Sequence, residues 1–169
     1  ASTATALTVT FANKPTEAGS LSASVSVGGV NSSTVQIASV IPVVTANSGL
    51  QLAANATTMT IYGVGFDTTA GNNTVVFNND AVGSVTASTA TTLSILFSVK
   101  PTTAGSLTAV VTTNGKENGA AVQVATVIPV VTSSAADLTA DTTTLTINGY
   151  GFDPTAGNNL LTFNDSAVG

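Results

Sequence analysis

The chain lacks cysteine, histidine, arginine and tryptophan, and only 7% of its 169 residues are charged. Its acidic residues are scattered singly, so it offers none of the residue groupings that nucleophilic or general acid–base catalysis uses. Three lysines are too few to neutralise a run of phosphates, which argues against nucleic-acid binding. We therefore expect a protein that is not an enzyme, holds no cofactor or metal, and binds no nucleic acid.

Long apolar runs are missing as well. No stretch of about 20 consecutive apolar residues occurs, so we expect no membrane span within this segment. The absence of cysteine excludes a disulfide, but a small module can bury an adequate core without one. An extracellular location is therefore compatible with this composition.

Threonine, valine, alanine and serine are abundant, and apolar residues often occupy every second position. The pattern is visible at residues 7–11, 59–61, 75–77, 93–97 and 107–111. Such alternation is typical of half-buried antiparallel strands, and no segment shows a sustained helical period. We expect an all-β protein with essentially no helix. The bulkiest predicted core residues are Phe11, Phe66, Phe77 and Phe97.

A long internal repeat runs through the sequence. Residues 1–21 read ASTATALTVTFANKPTEAGSL, and residues 87–107 read ASTATTLSILFSVKPTTAGSL. Residues 57–77 match residues 143–163 in the same way, and both offsets are 86 positions. Self-similarity at a fixed period indicates a repeat array, and a unit of about 86 residues is long enough to form a small domain.

One segment of the repeat has a slightly longer offset than the others. The hexapeptide VIPVVT begins at Val40 and again at Val127, an offset of 87, which places a one-residue insertion near residues 116–121. Just before this segment, Asn114 and Gly115 form a pair that is typical of a tight hairpin turn. Short strands spaced this regularly predict a sandwich with Greek-key connections.

The phase of the repeat divides the chain into three parts. We predict that residues 1–38, the first piece, are the second half of a module. Residues 39–125, the central module, form a complete unit, and residues 126–169, the third piece, are the first half of the next. A half-module would expose half a core and open strand edges to water.

The first and third pieces are complementary in sequence. The chain is three residues shorter than two periods of 86, and the missing positions correspond to Ser84, Val85 and Thr86. We therefore expect a length of a longer repetitive polypeptide, in which each half-module is completed by the continuing chain. The alternative is completion by a neighbouring copy through strand complementation.

The central module resembles the IPT/TIG family of immunoglobulin-like domains. The matching residues are Ile41 and Pro42 ahead of the first strand, TTMTIYGVGFDTTAGNNTVVFNN at residues 57–79, and Pro101 after a later strand. The form GFDPTAGNN at residues 151–159 is similar to the branch found in large bacterial-type cell-surface proteins. The resemblance implies tandem immunoglobulin-like β-sandwich modules, and the basic loops of the DNA-contacting members are absent here.

An oxygen-rich loop recurs in both copies of the repeat, at Asp67, Asn72 and Asn73 and again at Asp153, Asn158 and Asn159. Oxygen ligands of this kind can bind Ca²⁺, but one carboxylate per loop is few for a dedicated site. Aspartate and asparagine also stabilise turns through their own backbone, and we favour that interpretation.

Two further residue types are candidate modification sites. Lys14 and Lys100 recur before proline, but no acidic partner recurs with them, so a solvated lysine is favoured over an isopeptide crosslink. N-x-S/T triplets offer candidate glycosylation sites. These triplets begin at Asn31, Asn55, Asn72 and Asn164.

We predict a structural role for the chain, as a repeat of an extended extracellular filament, stalk or sheath at the cell surface. Its partners would be neighbouring copies of itself or adjacent modules of the same long chain, with glycans as additional partners. The alternative is a cell-surface adhesin whose module loops bind a carbohydrate or a receptor. An adhesin would need a cluster of exposed aromatics, whereas Tyr62 and Tyr150 are predicted to pack at strand ends.

Overall fold

The structure is a computed structural model in which residues 2–164 are described. Short β-strands make up almost all of its regular structure, and the helical content of the described residues consists of two 3₁₀ turns, Ala70–Asn72 and Ala156–Asn158. The strands are β1 Gly19–Ala23, β2 Ser26–Val27, β3 Val30–Asn31, β4 Val35–Val40, β5 Val43–Val44, β6 Gln51–Ala53, β7 Thr58–Val64, β8 Asn73–Phe77, β9 Val82–Ser88, β10 Thr92–Val99, β11 Gly105–Thr113, β12 Lys116–Glu117, β13 Val122–Ile128, β14 Val130–Val131 and β15 Gly149–Tyr150.

Strands β5 to β13 form a two-sheet sandwich. One sheet has the order β5-β7-β10-β9. In the other, β11 pairs with β8, β12 and β13, and β13 also pairs in parallel with β6. This is the arrangement of an immunoglobulin-like sandwich, with its first strand split so that β5 joins one sheet and β6 the other. The predicted all-β fold is confirmed.

The core lies between the inward faces of these two sheets, as strand alternation requires. Phe77 and Phe97 meet across it with ring centroids 5.4 Å apart, in a tilted arrangement. The largest fully buried apolar residues of the core are Phe66, Ile61, Leu93, Ile95, Leu107, Val111 and Val127.

The hairpin predicted from Asn114 and Gly115 is present. Both residues have positive φ, 51° and 71°, and they join β11 to β12. The inserted residue falls in the loop between β12 and β13, where Asn118 accepts a hydrogen bond from the Val111 amide at 2.7 Å. Ser32 takes the same role in the earlier copy, accepting from the Val25 amide at 3.0 Å.

The flanking pieces are less complete than the central module. β1 pairs with β4, β2 with β3, and β14 with β15, but residues 7–11 are not a strand. The prediction that Phe11 fills a core is wrong for this structure, because Phe11 is 52% exposed whereas its counterpart Phe97 is 7% exposed. The physical reason is that β10, which contains Phe97, lies between β7 and β9, and no such neighbouring strands flank residues 7–11 within the described range 2–164.

Candidate functional site: the joint between modules

Each copy of the G-x-G-F segment forms a compact turn at the end of a strand. In the first copy, Gly63 lies beneath the ring of Phe66, and a Cβ on Gly63 would overlap that ring and the carbonyl oxygen of Val43. Gly149 has the same surroundings in the second copy, formed by Phe152 and Val130. The turn therefore packs against the β5 or β14 strand that precedes it in the chain.

The second glycine of this segment contacts the preceding repeat. The amide of Ala18 donates a hydrogen bond to the carbonyl oxygen of Gly65 at 2.9 Å, and the amide of Ala104 donates to that of Gly151, also at 2.9 Å. Parallel bridges accompany both bonds, joining Glu17 to Gly65 and Thr103 to Gly151. Since the two contacts are offset by 86 residues, the chain builds the same joint twice.

Glycine is favoured by backbone conformation at both joints, and by space as well at the second joint. Gly65 and Gly151 have φ values of 88° and 77°, in a region that residues with a side chain rarely adopt. A Cβ on Gly151 would also lie 2.7 Å from the Cβ of Ala54 and 3.3 Å from the Cα of Pro129. At the first joint, Ala18 is buried and its carbonyl oxygen accepts a hydrogen bond from the Asn114 side chain at 3.1 Å.

The second joint has an additional contact that the first lacks. The ammonium of Lys100 lies 5.4 Å from the ring centroid of Tyr150, a distance at which a cation is attracted to an aromatic face. The corresponding positions at the first joint are Lys14 and Val64, and both are exposed. Lys100 is thus half-buried against Tyr150, a contact that the sequence did not predict.

The repeated oxygen-rich loop folds as a turn. Asp67 accepts hydrogen bonds from the Thr69 amide at 2.7 Å and from the Asn72 side chain at 3.1 Å. Those donors, the Thr69 amide foremost, together with Asn114 hold the pKa of Asp67 below its ordinary value of 3.8. Asp153 makes the matching bonds in the second copy, and the Thr155 amide and the Asn158 side chain lower its pKa in the same way.

Asn73 holds this loop against the sandwich. It is buried, and its side-chain nitrogen donates to the carbonyl oxygens of Asp67 at 2.8 Å and Thr69 at 3.1 Å. Its side-chain oxygen accepts from the Asp67 amide at 3.1 Å and the Thr113 hydroxyl at 2.8 Å. The sequence pattern grouped Asn73 with Asp67 and Asn72 as residues that stabilise a turn, and it did not predict the bond to Thr113. The signal was its place as the first residue of β8, directly after the loop.

A family model described as IPT/TIG domain matches residues 42–127. The chain belongs to the IPT/TIG family. The matched range coincides closely with the sandwich, from the buried Pro42 to the end of β13. Comparisons with curated proteins and with solved structures found no match.

The IPT/TIG module and its flanking pieces present the predicted glycosylation sites at the surface. Asn31, Asn55, Asn72 and Asn164 are exposed, although the amide of Asn72 is engaged by Asp67. Glycosylation at these positions stays a prediction. Among residues 2–164, no three His, Cys, Asp or Glu side chains converge as metal ligands would, and no helix in that range has the length and hydrophobicity to cross a membrane.

Tyr62 is more exposed than the sequence predicts. It was expected to pack at a strand end, but in the IPT/TIG module it points outward from β7 and is half exposed. Tyr150 is exposed to a similar extent and lies beside Lys100 at the second joint. The reason is the two-residue period of β7, which directs Met59, Ile61 and Gly63 inward and their neighbours outward.

Proposed function

We propose that the chain is a structural repeat of an extended extracellular filament, stalk or sheath, in which IPT/TIG modules follow one another head to tail. The observation that supports this proposal is the repetition of the joint. Ala18 and Gly65 make the contact at one end of the central module, and Ala104 and Gly151 make it at the other, with equal hydrogen-bond lengths.

The two joints lie at opposite ends of the sandwich. In the β7–β10 pair, Tyr62 faces Thr92 and Thr58 faces Leu96. Gly65 therefore follows β7 at one end of the sheet, whereas the loop that carries Ala104 follows β10 at the other end. A head-to-tail contact that repeats with one geometry and does not close on itself generates an open, extended array.

Composition fits this non-catalytic, mechanical role. The module has few charges to repel a neighbour of the same kind. Its glycine-containing joint is held by a hydrogen bond between two backbone groups rather than by long side chains. Immunoglobulin-like IPT/TIG domains serve in adhesion and protein interaction, and an array at the cell surface would use the fold in that way.

Small-angle X-ray scattering at several protein concentrations tests the proposal. A compact globule of this length has a radius of gyration of about 15 Å. We expect the value extrapolated to infinite dilution to exceed that figure clearly, with a pair-distance distribution that has a long tail. A radius at the compact value would contradict the head-to-tail arrangement.

A further inference from the structure

The first and third pieces each expose an apolar face that the central module buries. Leu7 is 58% exposed, whereas its counterpart Leu93 is 0% exposed. On the third piece, Leu145 is 56% exposed and its counterpart Met59 is 7% exposed. The same side chains that form a core in one repeat therefore lie against water in the flanking repeats.

The pairing inside the central module gives the register in which these faces fit one another. In the sheet that contains β7 and β10, Leu93 faces Ile61 and Ile95 faces Met59. Shifting β10 back by 86 residues and β7 forward by 86 places Leu7 opposite Ile147 and Val9 opposite Leu145. Every inward position of this pair is then apolar.

The second sheet gives the same result. Between β11 and β8, Ala109 faces Phe77 and Val111 faces Val75. The same shift places Ala23 opposite Phe163 and Val25 opposite Leu161. The apolar partners that the first piece lacks are thus present, in order, on the third piece.

One chain cannot bring its own two pieces together while both joints are intact. The first piece contacts the central module at Gly65 and the third contacts it at Ala104, at opposite ends of β7. β7 has seven residues, and at about 3.3 Å per residue the two ends are roughly 20 Å apart. The complementary face must come from elsewhere.

We propose that the third piece of one chain and the first piece of a second copy of this chain close a sandwich of the central module's design, in the register Leu7–Ile147 and Ala23–Phe163. This inference rests on the proposed head-to-tail array. It adds that the partner is a second copy of the chain and names the residues that meet. The segment at residues 7–11 becomes a strand beside residues 143–148, and residues 159–163 pair with β1 and the residues that follow it.

Engineered cysteines test this register, because the chain contains no cysteine of its own. Ser94 faces Thr60 on the outward side of the central sheet, so the proposal places Thr8 of one copy opposite Thr146 of another. Directly opposed residues of antiparallel strands have Cα atoms about 4.5–5.5 Å apart, within the range that a disulfide spans.

Two preparations, one carrying Thr8→Cys and the other Thr146→Cys, are mixed and oxidised mildly. The heterodimer is identified by peptide mass spectrometry. A second matched pair is Thr10→Cys with Thr144→Cys, equivalent to Leu96 facing Thr58. The out-of-register control is Thr10→Cys with Asn148→Cys, which lie four residues apart along the strand, or about 13 Å.

We expect both matched pairs to give at least tenfold more heterodimer than the control pair. Equal yields from matched and control pairs, or no heterodimer from either, would overturn the inference. An extended particle in solution scattering without matched crosslinks would leave the head-to-tail array standing and remove copy-to-copy completion. Matched crosslinks in a particle of compact dimensions would support the completion and contradict the array.

Discussion

Gly63 lies where two parts of the central module meet at close range. A Cβ there would overlap the carbonyl oxygen of Val43 and the ring of Phe66, and neither can move without disturbing β5 or the core. We expect Gly63→Ala to lower the free energy of unfolding by about 2 kcal/mol or more, in the range for overpacked cores. Urea denaturation followed by circular dichroism measures this change.

Gly71→Ala is the matched control for that substitution. Gly71 is exposed, and a Cβ there would meet nothing within 4 Å. Its free energy of unfolding should stay within about 0.5 kcal/mol of that of the parent chain. An equal loss of stability in both variants would show that general glycine replacement, rather than the contact at Gly63, accounts for the effect.

Asp67 makes the stability of its loop depend on pH. Its pKa in the folded chain is lowered from 3.8, chiefly by the Thr69 amide and then by Asn72. A carboxyl group with a depressed folded pKa stabilises the fold above its unfolded pKa, and that contribution disappears as the pH falls through the folded value. We therefore expect Asp67→Asn to be less stable than the parent at pH 7.

The difference between parent and Asp67→Asn should shrink as the pH falls below 3.8 and disappear as it falls through the lowered folded pKa, because the carboxyl group is protonated first in the unfolded chain and then in the folded chain. Urea midpoints measured from pH 7 to pH 2 would show this convergence. Asp137→Asn removes the same charge from an exposed position of the third piece and serves as the control. A constant difference across the whole pH range would contradict the electrostatic origin.

Asn73 connects three parts of the sandwich: β8, which it begins, the loop that precedes it, and β11. Its side chain makes hydrogen bonds to both backbone groups of Asp67, to Thr69 and to the Thr113 hydroxyl. Asn73→Ala would leave several of these groups buried without a partner, at a cost of about 1–3 kcal/mol for each group that water cannot reach.

We expect Asn73→Ala to destabilise the central module by about 3 kcal/mol, as measured by urea denaturation. Asn72→Ala, which changes the adjacent exposed residue, should cost less than about 1 kcal/mol. Similar losses in both variants would show that the loop is held by features other than the buried side chain.

At the scale of elements, two segments with similar apolar spacing have different structures in this chain. The segments LTVTF at residues 7–11 and LSILF at residues 93–97 both have apolar residues at their first, third and fifth positions, and this spacing correctly predicted the second as a strand. The first is not a strand, because a strand needs neighbours to pair its backbone and cover its apolar face. Local pattern therefore predicts which segments can form the sandwich, and pairing decides which of them do.

The joint could be predicted only in part. The repeat marked the G-x-G-F and A-G-S-L segments as recurrent, but it did not show that they contact each other. Ala18 and Gly65 are far apart in the sequence, and the bond joins two backbone groups that carry no residue-specific signal. Lys100 and Tyr150 lie 50 positions apart, and nothing local to either residue indicates that they meet.

At the scale of the whole molecule, Gly151 fixes the geometry between the central module and the third piece. Alanine at this position would have to adopt a φ of 77° and place its Cβ 2.7 Å from that of Ala54. We expect Gly151→Ala to break the hydrogen bond from the Ala104 amide and loosen the joint, since the strain amounts to about 1–2 kcal/mol before the steric clash is counted.

Spin labels on Thr74→Cys and Thr155→Cys would report this change by electron–electron double resonance. Both positions are exposed, one in the central module and one in the third piece. We expect a narrow distance distribution in the otherwise unchanged chain and a clearly broader one with Gly151→Ala. Gly157→Ala, at a glycine with open space around it, should leave the distribution narrow. A broad distribution without any glycine change would argue against a fixed joint.

The parallel pairing of β6 with β13 determines how the central module bears tension. Force applied to the two ends of the sandwich reaches β6 by way of β5 and leaves after β13, so it pulls β6 and β13 along their length in opposite directions. The bonds from the Thr126 amide to the Leu50 carbonyl and from the Ala54 amide to the Ile128 carbonyl are then loaded together in shear. A hydroxyl contact from Thr126 to the Ser48 carbonyl adds to the same patch. Each module would therefore resist stretching until these hydrogen bonds break together.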